Sequence, residues 1–65
     1  MKLKVNGTDR ELHEGSSIAS LLDLMQLKPQ NVAVEVNKRL VRGEKYDMPL
    51  KAGDEVEVVT FVGGG

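Results

Sequence analysis

The chain has no cysteine, which excludes disulfide staples, thiolate metal sites and a cysteine nucleophile. It has one histidine, His13, too few for a histidine-based relay or a transition-metal site. With no second His or Cys to accompany it, His13 reads as a solvated residue at a strand end. Nine basic residues stand against ten acidic ones, for a formal net charge of -1. The positive excess that marks a nucleic-acid binder is therefore missing. No apolar run approaches the ~20 residues that span a bilayer. Met1-Lys2-Leu3-Lys4-Val5 alternates polar and apolar, where a signal peptide is continuously apolar. These absences set the expectation of a cytoplasmic protein that engages neither nucleic acid nor membrane. At 65 residues one small domain is expected, burying about 60% of the surface its unfolded chain exposes. So small a domain has little room for a concave, water-excluding pocket, which argues against an independent enzyme.

What the chain does have is an uneven use of glycine. Three of its seven glycines are Gly63-Gly64-Gly65, and the other four are an ordinary number for the rest of the chain. The excess is local to the C-terminus and needs its own explanation.

Upstream of it the pattern changes period in an orderly way. Met1, Leu3 and Val5 alternate with Lys2 and Lys4, the period of a half-buried strand. Asn6-Gly7 is a strong hairpin signal, because both residues tolerate positive φ, and it is read as turn chemistry only. Thr8 to His13 returns as a strand with Leu12 inward. Ser17 is the expected N-cap of a helix in which Ile18, Leu21, Leu22 and Met25 form one apolar stripe. Leu24 and Leu27 widen that stripe, and Pro29 ends the helix near Leu27 after about ten residues. Asn31 to Asn37 alternates again, with Val32, Val34 and Val36 inward. Asn37-Lys38 turns the chain, Leu40-Val41-Arg42 is a short edge strand, and Gly43 to Pro49 an irregular crossover. Glu55 to Val62 is the last strand. The order β-β-α-β-β-β over residues 1–62 makes an α+β chain, with residues 63–65 as a flexible tail. A helix lying across one face of a small mixed sheet, with the first and last strands central and parallel, satisfies the short connections. That is the β-grasp, or ubiquitin-like, arrangement.

The last strand poses a question. Alternation puts Val56 and Val58 on the helix face and sends Val59 and Phe61, the only Phe, to the other. Three readings stay open at this level. A bulge near Val59 turns Phe61 inward, or Val59 and Phe61 are scattered apolar surface of no consequence, or they form an exposed apolar patch that docks on a partner. The glycines behind them have no side chains to pack, so they read as a mobile thread suited to a narrow channel, ending in a carboxylate, or as an uninformative loose end. Lys38, Arg39, Arg42 and Lys45 form a basic group around the second hairpin. It reads first as a solvated turn, and alternatively as a counterpart to an acidic enzyme surface.

Several stretches together resemble one family along essentially the whole chain. They are Lys4-Val5-Asn6-Gly7, the helix start Gly15-Ser16-Ser17-Ile18-Ala19-Ser20-Leu21-Leu22, and Val32-Ala33-Val34-Glu35-Val36-Asn37. Gly53-Asp54-Glu55-Val56-Glu57-Val58-Val59 follows, and then the most specific piece, Phe61-Val62-Gly63-Gly64-Gly65. The chain resembles the ThiS family, the sulfur carriers of thiamine biosynthesis. The resemblance implies a protein substrate rather than an enzyme, with no bound cofactor. An E1-like adenylyltransferase of the ThiF type, using ATP and Mg²⁺, would join AMP to the Gly65 carboxylate. A sulfur donor such as a cysteine desulfurase system would then convert Gly65 to a thiocarboxylate. A thiazole synthase of the ThiG type would take the sulfur for the thiazole ring. Gly63 and Gly64 would thread into the partner's active site, and Val59, Phe61 and Val62 would dock against it. Carriers for molybdopterin or tRNA thiolation and ubiquitin-like tags share the terminus, and the RNA-associated TGS module shares the β-grasp core.

Overall fold

The computed structural model describes residues 1–61. The expected tail, Gly63 to Gly65, and the expected last strand residue, Val62, lie outside the described residues.

Two tight hairpins frame the sheet. Strands β1 (Lys2–Val5) and β2 (Thr8–Glu11) pair antiparallel across Asn6 and Gly7, whose φ values of 52° and 80° give the two-residue turn that matches strand twist. Strands β3 (Val32–Val36) and β4 (Arg39–Val41) repeat the device across Asn37 and Lys38, at φ 52° and 70°. The turn closes on the pair Val36–Arg39, so β4 starts at Arg39 and ends at Val41 instead of running from Leu40 to Arg42. Strand β5 (Glu55–Thr60) fills the gap, parallel to β1 and antiparallel to β3. The sheet order is β2-β1-β5-β3-β4: the last strand takes the centre, with the first strand beside it. The chain order and mixed sheet match the β-grasp expectation.

Helix α1 (Ile18–Leu24) begins as its sequence suggests. The Ser17 hydroxyl accepts from the Ser20 N–H at 3.2 Å, and Ser20 Oγ accepts from the Ser17 N–H at 2.7 Å. This is a capping box with serine in the place usually held by Glu or Gln. The helix ends three residues before the expected Leu27. Gln26 turns left-handed at φ 60°, its N–H bonding to the Asp23 carbonyl at 3.0 Å and that of Leu27 to Leu22 at 2.9 Å. Those two bonds make a Schellman closure. The closure swings Leu27 back against the core while Leu24, 61% exposed, stays outside. Pro29 only forbids helix at the residue before it, and here the backbone has already turned.

Of the residues assigned inward by period, all but Leu24 lie in the core or pack against it. Leu3, Val5, Leu12, Ile18, Leu21, Leu22, Val32, Val34, Val56 and Val58 are buried, and Val36 is partly so. Periodicity misses Tyr46 and Leu50, both buried, because the crossover has no repeating pattern. The crossover is tied to the helix start instead. Ala19 N–H donates to the Tyr46 carbonyl at 3.0 Å, and Leu50 N–H to the Ser16 carbonyl at 2.7 Å. No helix among the described residues is long and apolar enough to cross a membrane.

Candidate functional site

The helix covers one face of the sheet and leaves the other open. On β5, Val56 and Val58 point into the core and Glu55, Glu57 and Val59 to the open face. The bulge reading fails on register. Pairing with β3 runs without interruption from Val36–Val56 to Val32–Thr60. Phe61 N–H then donates to the Asn31 carbonyl at 2.9 Å, one step past the strand. The alternation therefore reaches Phe61 intact and leaves it 56% exposed, beside Val59 at 58%. Val59 pairs with Ala33, Glu57 with Glu35, and Glu35 in turn with the exposed Leu40. The open face thus has an apolar end at Val59 and Phe61 and an acidic middle at Glu35 and Glu57. Those two glutamates sit directly opposite each other, an unfavourable cross-strand pair. Neither has a cation within salt-bridge distance among the described residues.

The strand that carries this patch is held from both sides by asparagines of the two turns. Where β1 has ended, Asn6 Oδ1 takes over as acceptor for the Val58 N–H at 2.7 Å. On the other side Asn37 Oδ1 accepts from the Glu55 N–H at 3.0 Å, and its Nδ2 donates to Asp54 Oδ1 at 3.0 Å. Asp54 Oδ2 in turn accepts from the Lys51 N–H at 2.8 Å. The local sequence accounts for the turns; the second job of each asparagine depends on β5 arriving between them. An Asn at the first turn position was the available signal, since its side-chain oxygen can stand in for a missing strand. These bonds fix the start and middle of β5.

The remaining candidates are placed plainly. His13 is exposed, and only its carbonyl is engaged, by the Ser16 N–H. Among the described residues no group of three or more His, Asp or Glu side chains is arranged to hold a metal. Lys38, Arg39, Arg42 and Lys45 are all exposed. On the open face between β1 and β2, Lys4 Nζ bonds Asp9 Oδ1 at 2.9 Å. That bond, reinforced by the opposite charge, holds the Asp9 carboxyl below its usual range and raises the Lys4 ammonium. The tail residues Gly63, Gly64 and Gly65, and Val62, fall outside the described residues.

Over 62 residues the chain is 40% identical to the sulfur carrier protein ThiS of Thermus thermophilus, covering 94% of this chain and 95% of the relative. It is 39% identical over 66 residues to a thiazole synthase of Magnetococcus marinus, and there the whole chain spans only 20% of the relative's length. The crystal structure of the thiamine biosynthesis protein ThiS from Geobacter metallireducens matches at a TM-score of 0.82 and 33% identity, with both chains fully covered. The ThiS family model matches residues 3–65, from the first buried leucine of β1 through the terminal glycines. On topology, likeness and the extent of that match, the chain belongs to the ThiS family of sulfur carriers.

Proposed function

We propose that this protein carries sulfur on the carboxylate of Gly65 and delivers it for the thiazole ring of thiamine. The observation that carries the proposal is where the family match ends. It runs through Gly63-Gly64-Gly65, shortly after a central strand near whose end Val59 and, one step past it, Phe61 are exposed. A carboxylate resists nucleophilic attack until one of its oxygens becomes part of a good leaving group. An E1-like adenylyltransferase supplies that group: the Gly65 oxygen attacks the α-phosphorus of ATP, and pyrophosphate leaves. ATP and Mg²⁺ belong to that enzyme. A persulfide sulfur then displaces AMP from the acyl carbon, and cleavage of the resulting S–S bond by a thiol leaves the thiocarboxylate. With no cysteine of its own, this chain contributes the acyl group and takes the sulfur from a donor such as a cysteine desulfurase system.

Each part of the protein has a defined share in the reading. Gly63 and Gly64 present no side chain to the walls of a narrow channel. Val59, Phe61 and Val62 dock at its mouth, an apolar patch next to the reacting end. The asparagine clamps on β5 keep that patch in place while the tail is inserted. Thiazole synthase as the acceptor is supported by the Magnetococcus marinus relative, in which a segment like this chain and a thiazole synthase share one polypeptide.

The test is a mass spectrum of the protein after incubation with its activating enzyme, ATP, cysteine and a cysteine desulfurase. The expected product gains the mass of one sulfur in exchange for one oxygen. Pyrophosphate release, followed in parallel, should vanish when Gly64 and Gly65 are deleted. Normal release by the shortened protein would end the sulfur-carrier reading.

A further inference from the structure

A second surface lies near the opposite end of β5 from Phe61. Between β4 and the crossover runs a groove of about 570 Å³, floored by Ile18, Val36, Val41 and Leu50 with the exposed Met48 at its side. Arg39, Arg42 and Lys45 line it. Among the described residues none of these three cations has a carboxylate within salt-bridge distance. The one acid in the groove, Asp54, is engaged by Asn37 and the Lys51 N–H. Residues 38–45 hold four of the nine basic side chains of a chain whose net charge is -1. A merely solvated turn requires cations and water; it does not require an apolar floor beneath them.

The backbone adds a third element. β4 is an edge strand. Val36–Arg39 closes a two-residue turn, so that pair exchanges ladder bonds and the next, Glu35–Leu40, does not. The Leu40 N–H and C=O therefore point to the outer edge, ready to pair with an added strand. We infer that this groove docks an extended acidic segment of a partner protein. The segment pairs with the edge at Leu40, sets its carboxylates against Arg39, Arg42 and Lys45, and lays apolar side chains on the floor. Charge complementarity favours a partner over a second copy. Of this chain's own acids, Glu35 and Glu57 sit inside a paired sheet, and on its other edge strand, β2, Asp9 is already paired with Lys4 and Glu11 with the N-terminal ammonium. The inference goes beyond the carrier chemistry and does not depend on Gly65. It gives a partner a handle that stays available while the tail reacts.

The experiment is an NMR titration of the full-length ¹⁵N-labelled protein with a short synthetic peptide alternating glutamate and valine. A control peptide has lysine for glutamate. Saturable shifts are expected at the amides of Val36, Leu40, Val41 and Leu50, with the lysine peptide inert. Arg39→Glu combined with Arg42→Glu should weaken the acidic peptide about tenfold, the effect of roughly 1.4 kcal/mol, with the dispersed native spectrum retained. Met48→Glu, a single exposed change at the groove, gives the same loss should the double variant fold poorly. Equal response to the lysine peptide, shifts confined to Val59 and Phe61, no response at all, or concentration-dependent shifts without peptide would each overturn the inference. The carrier reading is scored separately by pyrophosphate release, which the peptide titration leaves untouched.

Discussion

Replacing Phe61 by alanine separates docking from folding. Full burial of a phenylalanine side chain is worth about 1.5 to 3 kcal/mol. Phe61 is 56% exposed, so less than half of that is at stake, about 1 kcal/mol. In a domain of 65 residues a loss of that size lowers the melting temperature by roughly 4 to 8 °C. Leu21, 0% exposed, sets the contrast. Leu21→Ala should cost about 2 to 5 kcal/mol, against a total stability of roughly 3 to 10 kcal/mol for a chain this long. Urea unfolding followed by the fluorescence of Tyr46, the only tyrosine and a buried one, measures both variants with one probe. Binding should reverse the order. An exposed aromatic anchor at an interface is worth about 2 kcal/mol or more when truncated, so Phe61→Ala should bind the activating enzyme or the thiazole synthase roughly thirtyfold more weakly by calorimetry. If Phe61→Ala destabilises as severely as Leu21→Ala, the residue is part of the core and the uninterrupted register is wrong. If it is stable and binds both enzymes as the parent does, the open face is not the docking face.

Other consequences follow from particular bonds. Gln26→Gly removes the strain of a left-handed non-glycine residue at the helix end and should raise stability by about 0.5 to 1 kcal/mol after the entropy that glycine adds to the unfolded chain; a lower urea midpoint would contradict the Schellman closure. Asn6→Gly keeps the positive φ but deletes the acceptor for the Val58 N–H, and should cost about 1 kcal/mol with faster hydrogen exchange at Val58, whereas Asn6→Asp should stay near the parent. The Lys4–Asp9 pair is fully exposed and its effect small and salt-sensitive. Because Asp9 is depressed, its stabilisation is present above the carboxyl's unfolded value and is lost as pH falls through the folded one. Because Lys4 is raised, its share is lost only as pH climbs through the folded ammonium value. An NMR titration of the Asp9 carboxyl should give a midpoint below 3.8 that returns toward it in Lys4→Ala and in high salt.

Much of this protein is local and therefore legible in its sequence. Asn6-Gly7 specifies its turn because few other residue pairs reach positive φ at low cost. The change of period at Ile18, announced by Ser17, marks the helix, and strict alternation on β1, β3 and β5 separates core from surface. The terminal glycines and the family resemblance point to the carboxylate proposed to react. Tertiary structure decided what depends on partners distant in the chain. Gln26 ends the helix early because Leu27 has a core to return to. Tyr46 and Leu50 are buried without any periodic signal, since a crossover is placed by its bonds to Ala19 and Ser16 and not by its own pattern. The exposure of Phe61 turned on whether β3 would pair with β5 without a bulge. Asn6 and Asn37 became clamps only when β5 entered between the two hairpins. The basic residues of 38–45 gained an apolar floor from helix and crossover residues that their own segment does not contain. Period and turn chemistry act over a few residues, while register, edges and grooves arise where segments far apart in the chain meet.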